Sequence, residues 1–409
     1  MKTSPIQPLD GMKDSFEAEY STNKRINQVL GDYLAQFGYR FVDPPLLEKT
    51  ELFLRKSGGE FGSRLYSFTD PGGNKVSLRP EFTSSIIRMF VQSQKNLTLP
   101  IRWQYAGPVF RYNPIKTNQS RQFSQVGAEL IGSSDLAIDA ELISIAWKGL
   151  SCLNINNHVL NIGHMGIINM VLNKLDLTDR GRGFLIRSIP WLKNNVQSSE
   201  ILRKAKDQLF LSPKYNLKAD LDIDNINPQS LKPIIQSLFD KGTYSAVGQR
   251  TSKEIIERFI KRIKQNDNLE NIEMGIKVLT KLVKIKGEST QALSDARSIS
   301  DEFKMDTNIF DNIGRLVQLL CESGINKTNL NIDFGLVRGI SYYTGVIFDI
   351  GHPALPSENS LGGGGRYDSL VESLGGIKDT PALGFAYNLD WINMLLLTGD
   401  KLIDQNDKE

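Results

Sequence analysis

From Glu17 to Phe37 the apolar positions Tyr20, Ile26, Val29, Leu30, Tyr33, Leu34 and Phe37 recur at spacings of three and four, and Gly38 follows. That period predicts an amphipathic helix, ended by a glycine that tolerates the left-handed backbone of a helix stop. Tyr39 to Val42 reads as a short strand closed by Pro44 and Pro45, because proline neither continues a helix nor donates to a sheet interior. Between residues 64 and 132 the pattern turns to strands: RLYSF, KVSLRP, RWQYAGPVFRY and QFSQVGAELIG, broken by one helix around Ile86 to Val91. Turns such as the Asp-Pro-Gly-Gly-Asn run from Asp70 to Asn74 join them, which predicts an antiparallel sheet. Asp135 to Leu150 predicts a helix, and HVLNIGHMG a strand running into another.

From about residue 167 to 325 long helical patterns dominate. The stripe Ile255, Ile256, Phe259, Ile260 and Ile263, with Glu254 and Glu257 four residues ahead of Arg258 and Lys261, predicts a helix with a solvated charged face. After 326 the strands return in NLNIDFGLV and SYYTGVIFDIGH, followed by a glycine run and a final apolar segment. The expected fold class is α+β: an antiparallel sheet flanked by helices, built from residues 1–170 and 326–409, with a mostly helical insertion at 171–325.

Composition narrows the field. The chain has 409 residues, 40% hydrophobic and 23% charged, which excludes disorder and supplies material for a real core. A net charge of +3 does not by itself nominate a nucleic-acid partner. Two distant cysteines, Cys152 and Cys321, build neither a disulfide framework nor a thiolate zinc site and read as buried free thiols. The histidines His158, His164 and His352 have no metal-ligand spacing, so no metal is expected. Without an apolar leader or a membrane-spanning run, a soluble cytoplasmic protein is expected, with no membrane partner.

Four segments carry polar residues where a periodic strand would carry apolar ones: Leu78 to Thr83, Phe110-Arg111 with Gln125 and Glu129, Val337 to Gly345, and Leu361 to Asp368. Gln125, Gly127 and Glu129 alternate with Val126 and Ala128, so they share one strand face. Glu81 and Glu129 suit an ammonium group or an imidazole N–H, and Tyr342 and Tyr343 offer ring and hydroxyl. Taken singly, each segment also reads as a strand-end ion pair. Gly362 to Gly365 permits close backbone approach to a ligand, with a flexible hairpin turn as the plain alternative; it lacks the form of a phosphate loop.

The motifs LRPEFT, YAGPVFRY with RQFSQVGAELIG, LVRGISYYTG, and GGGGRYDSLVESLGG with PALGFAYNLDWI resemble, in order, the catalytic core of histidyl-tRNA synthetases, a class II aminoacyl-tRNA synthetase fold. By that resemblance Glu81, Thr83, Gln125, Glu129, Tyr342, Tyr343 and Tyr367 would form a histidine pocket. Arg111 and Arg338 would meet the amino-acid carboxylate or ATP phosphates. The departures from the synthetase pattern bear on ATP: Asn113 stands where a glutamate helps hold adenine, Trp391 where an arginine grips the γ-phosphate, and Ser341 where an aspartate is usual. Tryptophan cannot neutralise phosphate charge, so adenylation at a useful rate is not expected. Only 18 residues follow Trp391, too few for the anticodon-binding domain of the synthetases.

This combination also resembles the regulatory subunits of ATP phosphoribosyltransferase. That resemblance implies a non-catalytic chain with no cofactor and no tRNA, histidine as effector, a short-form catalytic subunit as partner, and a homodimer core within a larger hetero-oligomer. The alternative is a histidyl-tRNA synthetase or a degenerate paralogue of it.

Overall fold

The computed structural model describes residues 5–112, 120–209, 267–303, 306–338, 342–357 and 359–406. The stripe at 255–263, Asn113 and Ser341 lie outside these residues.

In chain order the first elements are α1 (Glu17–Gln36), β1 (Arg40–Phe41), β2 (Leu47–Lys49), α2 (Thr50–Ser63), β3 (Ser67–Thr69), β4 (Lys75–Leu78), α3 (Thr83–Ser93), β5 (Ile101–Phe110), β6 (Gln122–Ile131), α4 (Leu136–Ser151), β7 (Val159–His164), α5 (Met165–Asn173), α6 (Asp179–Lys193) and α7 (Ser198–Leu209). After them come a helix at Leu269–Leu282, β8 (Lys286–Glu288), helices at Ser289–Glu302 and Asn308–Glu322, then β9 (Leu330–Asp333), β10 (Val346–Gly351), β11 (Gly362–Arg366), β12 (Ala382–Asn388) and a last helix, Leu389–Asn406.

α1 forms where the apolar spacing predicts it. Ile26, Leu30 and Leu34 are its buried stripe. Gly38, at φ +80°, lets its own N–H reach Ala35 O and that of Tyr39 reach Leu34 O, closing the last turn. α4 is apolar around most of its circumference and is correspondingly buried, with the Asp135 side chain capping it by accepting from Ala137 N.

Nine strands form one sheet in the order β1-β5-β6-β12-β11-β10-β7-β9-β8. Its pairs are antiparallel except β1 with β5 and β7 with β9. β2, β4 and β3 form a small separate sheet. The α+β class with an antiparallel-dominated sheet flanked by helices is therefore the observed fold. The glycine run is the strand β11 and not a turn. A Cβ at Gly364 would collide with Gly384 O across the β11–β12 pair, which side-chain-bearing residues could not accommodate.

Two compact units are distinguished: Met1–Asn169 with Leu282–Glu409, and Met170–Lys281. The helices Ser289–Glu302 and Asn308–Glu322, which the sequence grouped with the insertion, thus lie in the sheet unit. Asn308–Glu322 packs on α4, where Ser144 and Ser323 hydroxyls meet at 2.7 Å. Amphipathic period reveals such a helix but not the surface it covers. The described part of the second unit is helical, with Phe184, Leu185, Ile189, Ile201, Ile272 and Leu279 buried. Asp267 fastens it by accepting from Thr178 N at 2.7 Å and Thr178 Oγ1 at 2.8 Å.

One expectation about the thiols fails: Cys152 is exposed and Cys321 half-buried. The apolar run of α4 stops at Leu150, and Cys152 stands just beyond the helix end. No helix among the described residues is long and apolar enough to cross a membrane.

Candidate functional site

Register assembles the site. β6 lies between β5 and β12, placing Glu129 beside Trp103 and Gly384, Gln125 beside Gly107 and Asn388, and Tyr105 beside Gly127. A carboxylate in mid-sheet needs room and donors. Gly384 supplies the room, since a Cβ there would sit on Glu129 Oε2. Three hydroxyls supply the donors: Thr83 at 2.7 Å and Tyr105 at 3.0 Å to Oε1, and Tyr367 to Oε2. Glu129 has no exposed surface. Burial pushes its carboxyl up to about 8, against the opposing pull of the hydroxyls.

The second carboxylate, Glu81, sits where the chain enters α3 and accepts from Ser84 N at 3.1 and 3.2 Å. This satisfies one of the orphan N–H groups of the first helical turn. Burial raises its carboxyl as well. Arg111 extends from the end of β5, donates Nε–H to Pro80 O at 2.8 Å, and lies 5.1 Å from the Phe123 ring. Burial, and then the neighbouring Arg64, bring its guanidinium down to about 10. Arg338 is paired with Asp349 and donates to Phe348 O at 3.3 Å. It crosses β11 at Gly363, where any Cβ would strike its Nη1. Tyr342, Tyr343 and Tyr367 form an aromatic cluster with ring centroids 4.8, 5.4 and 6.3 Å apart.

Seven of the residues expected from the sequence line one cleft of about 510 Å³: Glu81, Thr83, Arg111, Gln125, Arg338, Tyr342 and Tyr343. The other two, Glu129 and Tyr367, do not line it. Glu129 is reached through Thr83 and Tyr105, which do, and Tyr367 holds its far oxygen. Tyr105 is among the residues of the site that the sequence did not single out. Its signal was the hairpin register that puts it opposite Gly127, and only the paired strands make that visible.

At its other end the cleft is lined by Lys13, Glu19, Asn388, Asp390 and Trp391. Lys13 is ion-paired with Glu19 at 2.6 Å. Burial raises the Asp390 carboxyl, while Lys13 and a Ser120 hydrogen bond oppose the rise. Acceptors beside Tyr105 and two guanidinium groups within one cleft can hold a small zwitterion with a polar ring.

The family described as Histidyl-tRNA synthetase matches residues 11–207 and 234–392. The chain belongs to the histidyl-tRNA synthetase family. The histidine–tRNA ligase of Sulfurisphaera tokodaii is 30% identical over 391 residues, 95% of this chain and 75% of the relative. That of Methanococcus vannielii is 27% identical over 387 residues, with the same coverages of 95% and 75%.

Among solved structures of histidyl-tRNA synthetase-like folds, an ATP phosphoribosyltransferase regulatory subunit/histidyl-tRNA synthetase from Bacillus halodurans superposes with TM-score 0.65 at 21% identity, covering 96% of this chain and 83% of the other. Histidyl-tRNA synthetase from Nostoc gives 0.64 at 17%, covering 97% and 77%. At those identities the structural likeness establishes the fold. Apart from Asn393, Met394 and Leu397, the residues lining the cleft lie in the part of this chain that the family match covers.

Proposed function

We propose that the cleft binds free histidine and that the chain is the regulatory subunit of a short ATP phosphoribosyltransferase, and does not adenylate histidine itself. The observation that carries this reading is Trp391. It lines the cleft beside Asp390, at the position where resemblance to the synthetases calls for an arginine on the ATP γ-phosphate. An indole next to a carboxylate offers no bidentate grip on a polyphosphate. The amino-acid end of the same cleft keeps its carboxylates, tyrosines and arginines. The neighbour from Bacillus halodurans carries both names, regulatory subunit and synthetase, which accords with one fold serving either role.

In this reading histidine, as end product, binds two global states of the complex with different affinity and so biases the partner's activity. A coupling factor of about 5 to 150 is typical of such linkage. Co-expression with a short catalytic subunit tests it: phosphoribosyl transfer to ATP appears only with both chains and is inhibited by histidine. Failure of the two chains to associate overturns the partner assignment.

A second reading, histidine–tRNA ligase activity, is favoured by the curated relatives, which are ligases at 27–30% identity. Histidine-dependent exchange of pyrophosphate into ATP separates the two. The regulatory reading expects none above background, and robust exchange overturns it.

A further inference from the structure

We infer that Arg79, which does not line the cleft, is a positioning residue for the histidine pocket, acting through a stack of Phe82 and Tyr105 that fixes the Tyr105 hydroxyl on Glu129. The inference rests on the histidine-binding reading above and goes beyond it. Arg79 is only 2% exposed, and its guanidinium bonds to backbone carbonyls, Nε to Pro108 O at 3.0 Å and Nη1 to Pro44 O at 2.7 Å. The nearest carboxylate, Asp43 at 3.8 Å, is 80% exposed. Glu48 also acts on Arg79 but is ion-paired with Arg88 at 2.6 Å; a buried cation with no carboxylate of its own inside is a poor way to fill space, and an apolar side chain would serve better.

The Arg79 backbone is already tied in place, its N–H to Leu46 O and its O to Phe110 N, both at 2.9 Å. The guanidinium therefore has another task. Its Cζ lies 3.8 Å from the centroid of the Phe82 ring, and Phe82 stacks on Tyr105 at 4.3 Å and 13°. Gly107, at φ +151°, makes the approach possible, since a Cβ there would be 2.8 Å from Arg79 Nη2. A planar guanidinium on an aromatic face is a contact lysine does not reproduce.

At the far end of this column the Tyr105 hydroxyl donates to Glu129 Oε1 at 3.0 Å, with Phe385 O as a second acceptor at 3.4 Å. Without the stack the ring can rock and the hydroxyl can settle on Phe385 O, leaving Glu129 one donor short. Loss of a donor disfavours the ionised carboxylate, so the pH at which histidine binding half-develops moves upward. Glu81, Tyr39, Tyr342, Tyr343 and Tyr367 also act on Glu129 and are unchanged in the variants below.

The test is a double-mutant cycle of Arg79→Met and Tyr105→Phe, with histidine affinity measured by calorimetry across pH in the full chain. Each single variant is expected to bind histidine about three- to tenfold more weakly, as for a lost hydrogen bond, with the pH midpoint raised. The double variant is expected to bind no more weakly than Tyr105→Phe alone. Additive losses, or wild-type affinity and midpoint in a folded Arg79→Met, overturn the inference. If Arg79→Met does not fold, Arg79→Lys keeps the cation without the flat stack and shows the same loss and midpoint shift; wild-type binding in that variant overturns the inference. A wild type that binds no histidine at millimolar concentration overturns the histidine reading itself, which these outcomes keep distinct.

Discussion

If histidine is read through the hydroxyls that Glu129 holds, its affinity must rise with pH. An ionised Glu129 obliges Thr83, Tyr105 and Tyr367 to donate to it, which turns the free lone pairs of Thr83 and Tyr105 toward the cleft as acceptors for an ammonium or imidazole N–H. A protonated Glu129 donates instead and spoils that pattern. With the carboxyl at about 8, the ionised fraction is about one in eleven at pH 7 and about three in four at pH 8.5. The histidine Kd should therefore fall about eightfold between these pH values. Calorimetry in two buffers of different ionisation enthalpy reads both the affinity and the proton released on binding. Glu129→Gln is expected to bind weakly with a flatter profile, and the difference between the two profiles cancels the ligand's own titration. Parallel profiles for the two proteins, or wild-type affinity that falls with rising pH, would rule out a pocket read through an ionised Glu129. Stability runs the opposite way. The folded carboxyl lies above its unfolded value of about 4.5, so the native state keeps a proton the unfolded chain has lost. That contribution is full below pH 4.5 and is lost as the pH rises through about 8. Glu81 adds to it with the same sign. The ligand-free protein should accordingly melt lower at pH 9 than at pH 6, and Glu129→Gln should flatten that slope.

Gly384→Ala places a Cβ on Glu129 Oε2. It should abolish histidine binding and destabilise the fold by about 1–3 kcal/mol, as overpacking does, read by calorimetry and urea unfolding. His158, buried against the Trp147 ring and bonded to Trp147 O at 3.1 Å, is held down to about 4 by burial. Its contribution is full above about pH 6.5 and is lost as the pH falls toward 4, roughly 2 kcal/mol by pH 5; urea unfolding of wild type and His158→Gln at pH 7 and 5 should show the variant less acid-sensitive. Arg366 donates to buried Asp139, to Ser133 O at 2.9 Å and to Asp368 at 2.9 Å, and its own carbonyl accepts from Thr344 N at 2.8 Å. Arg366→Met should destabilise the chain by about 3–5 kcal/mol through the uncompensated carboxylate, and adding Asp139→Asn should restore part of that in the same unfolding assay.

What the sequence disclosed of this site follows from what one-dimensional pattern can carry. Glu81 and Thr83 stood out because LRPEFT puts polar groups where apolar ones belong, and the structure brings both into the cleft. Gln125 and Glu129 were assigned one strand face by period two, yet only Gln125 reaches the cleft, since Glu129 is covered by Thr83 and Tyr105. Period fixes a face and says nothing about what lies over it. Tyr105 lies inside a predicted strand, and Arg79 and Phe82 inside the polar segment Leu78 to Thr83, with nothing in either run to join them. Their stack spans strand, loop and helix, so no local window contains it. Lys13 and Glu19, which come before the first strand, also line the cleft and left no signal in their own segment.

Sensing and adenylation place different electrostatic demands on one cleft. Adenylation needs unpaired positive charge aimed where phosphate charge develops, whereas an effector site needs only a difference in affinity between two states. In this cleft Arg338 is already matched by Asp349, and Lys13 by Glu19 with Asp390 close by. A polyphosphate entering beside Trp391 could recruit Lys13 or Arg338 only by breaking those pairs and facing the carboxylates they release. A zwitterion meets no such conflict, because its ammonium seeks the carboxylate side and its carboxylate the Arg111 side. The consequence is testable with ligands alone: histidine should bind without ATP, and millimolar ATP should weaken histidine binding less than twofold. Tight ATP binding that strengthens histidine binding would show that the charge pairing at the cleft mouth opens for phosphate, and would return the molecule to the synthetase reading.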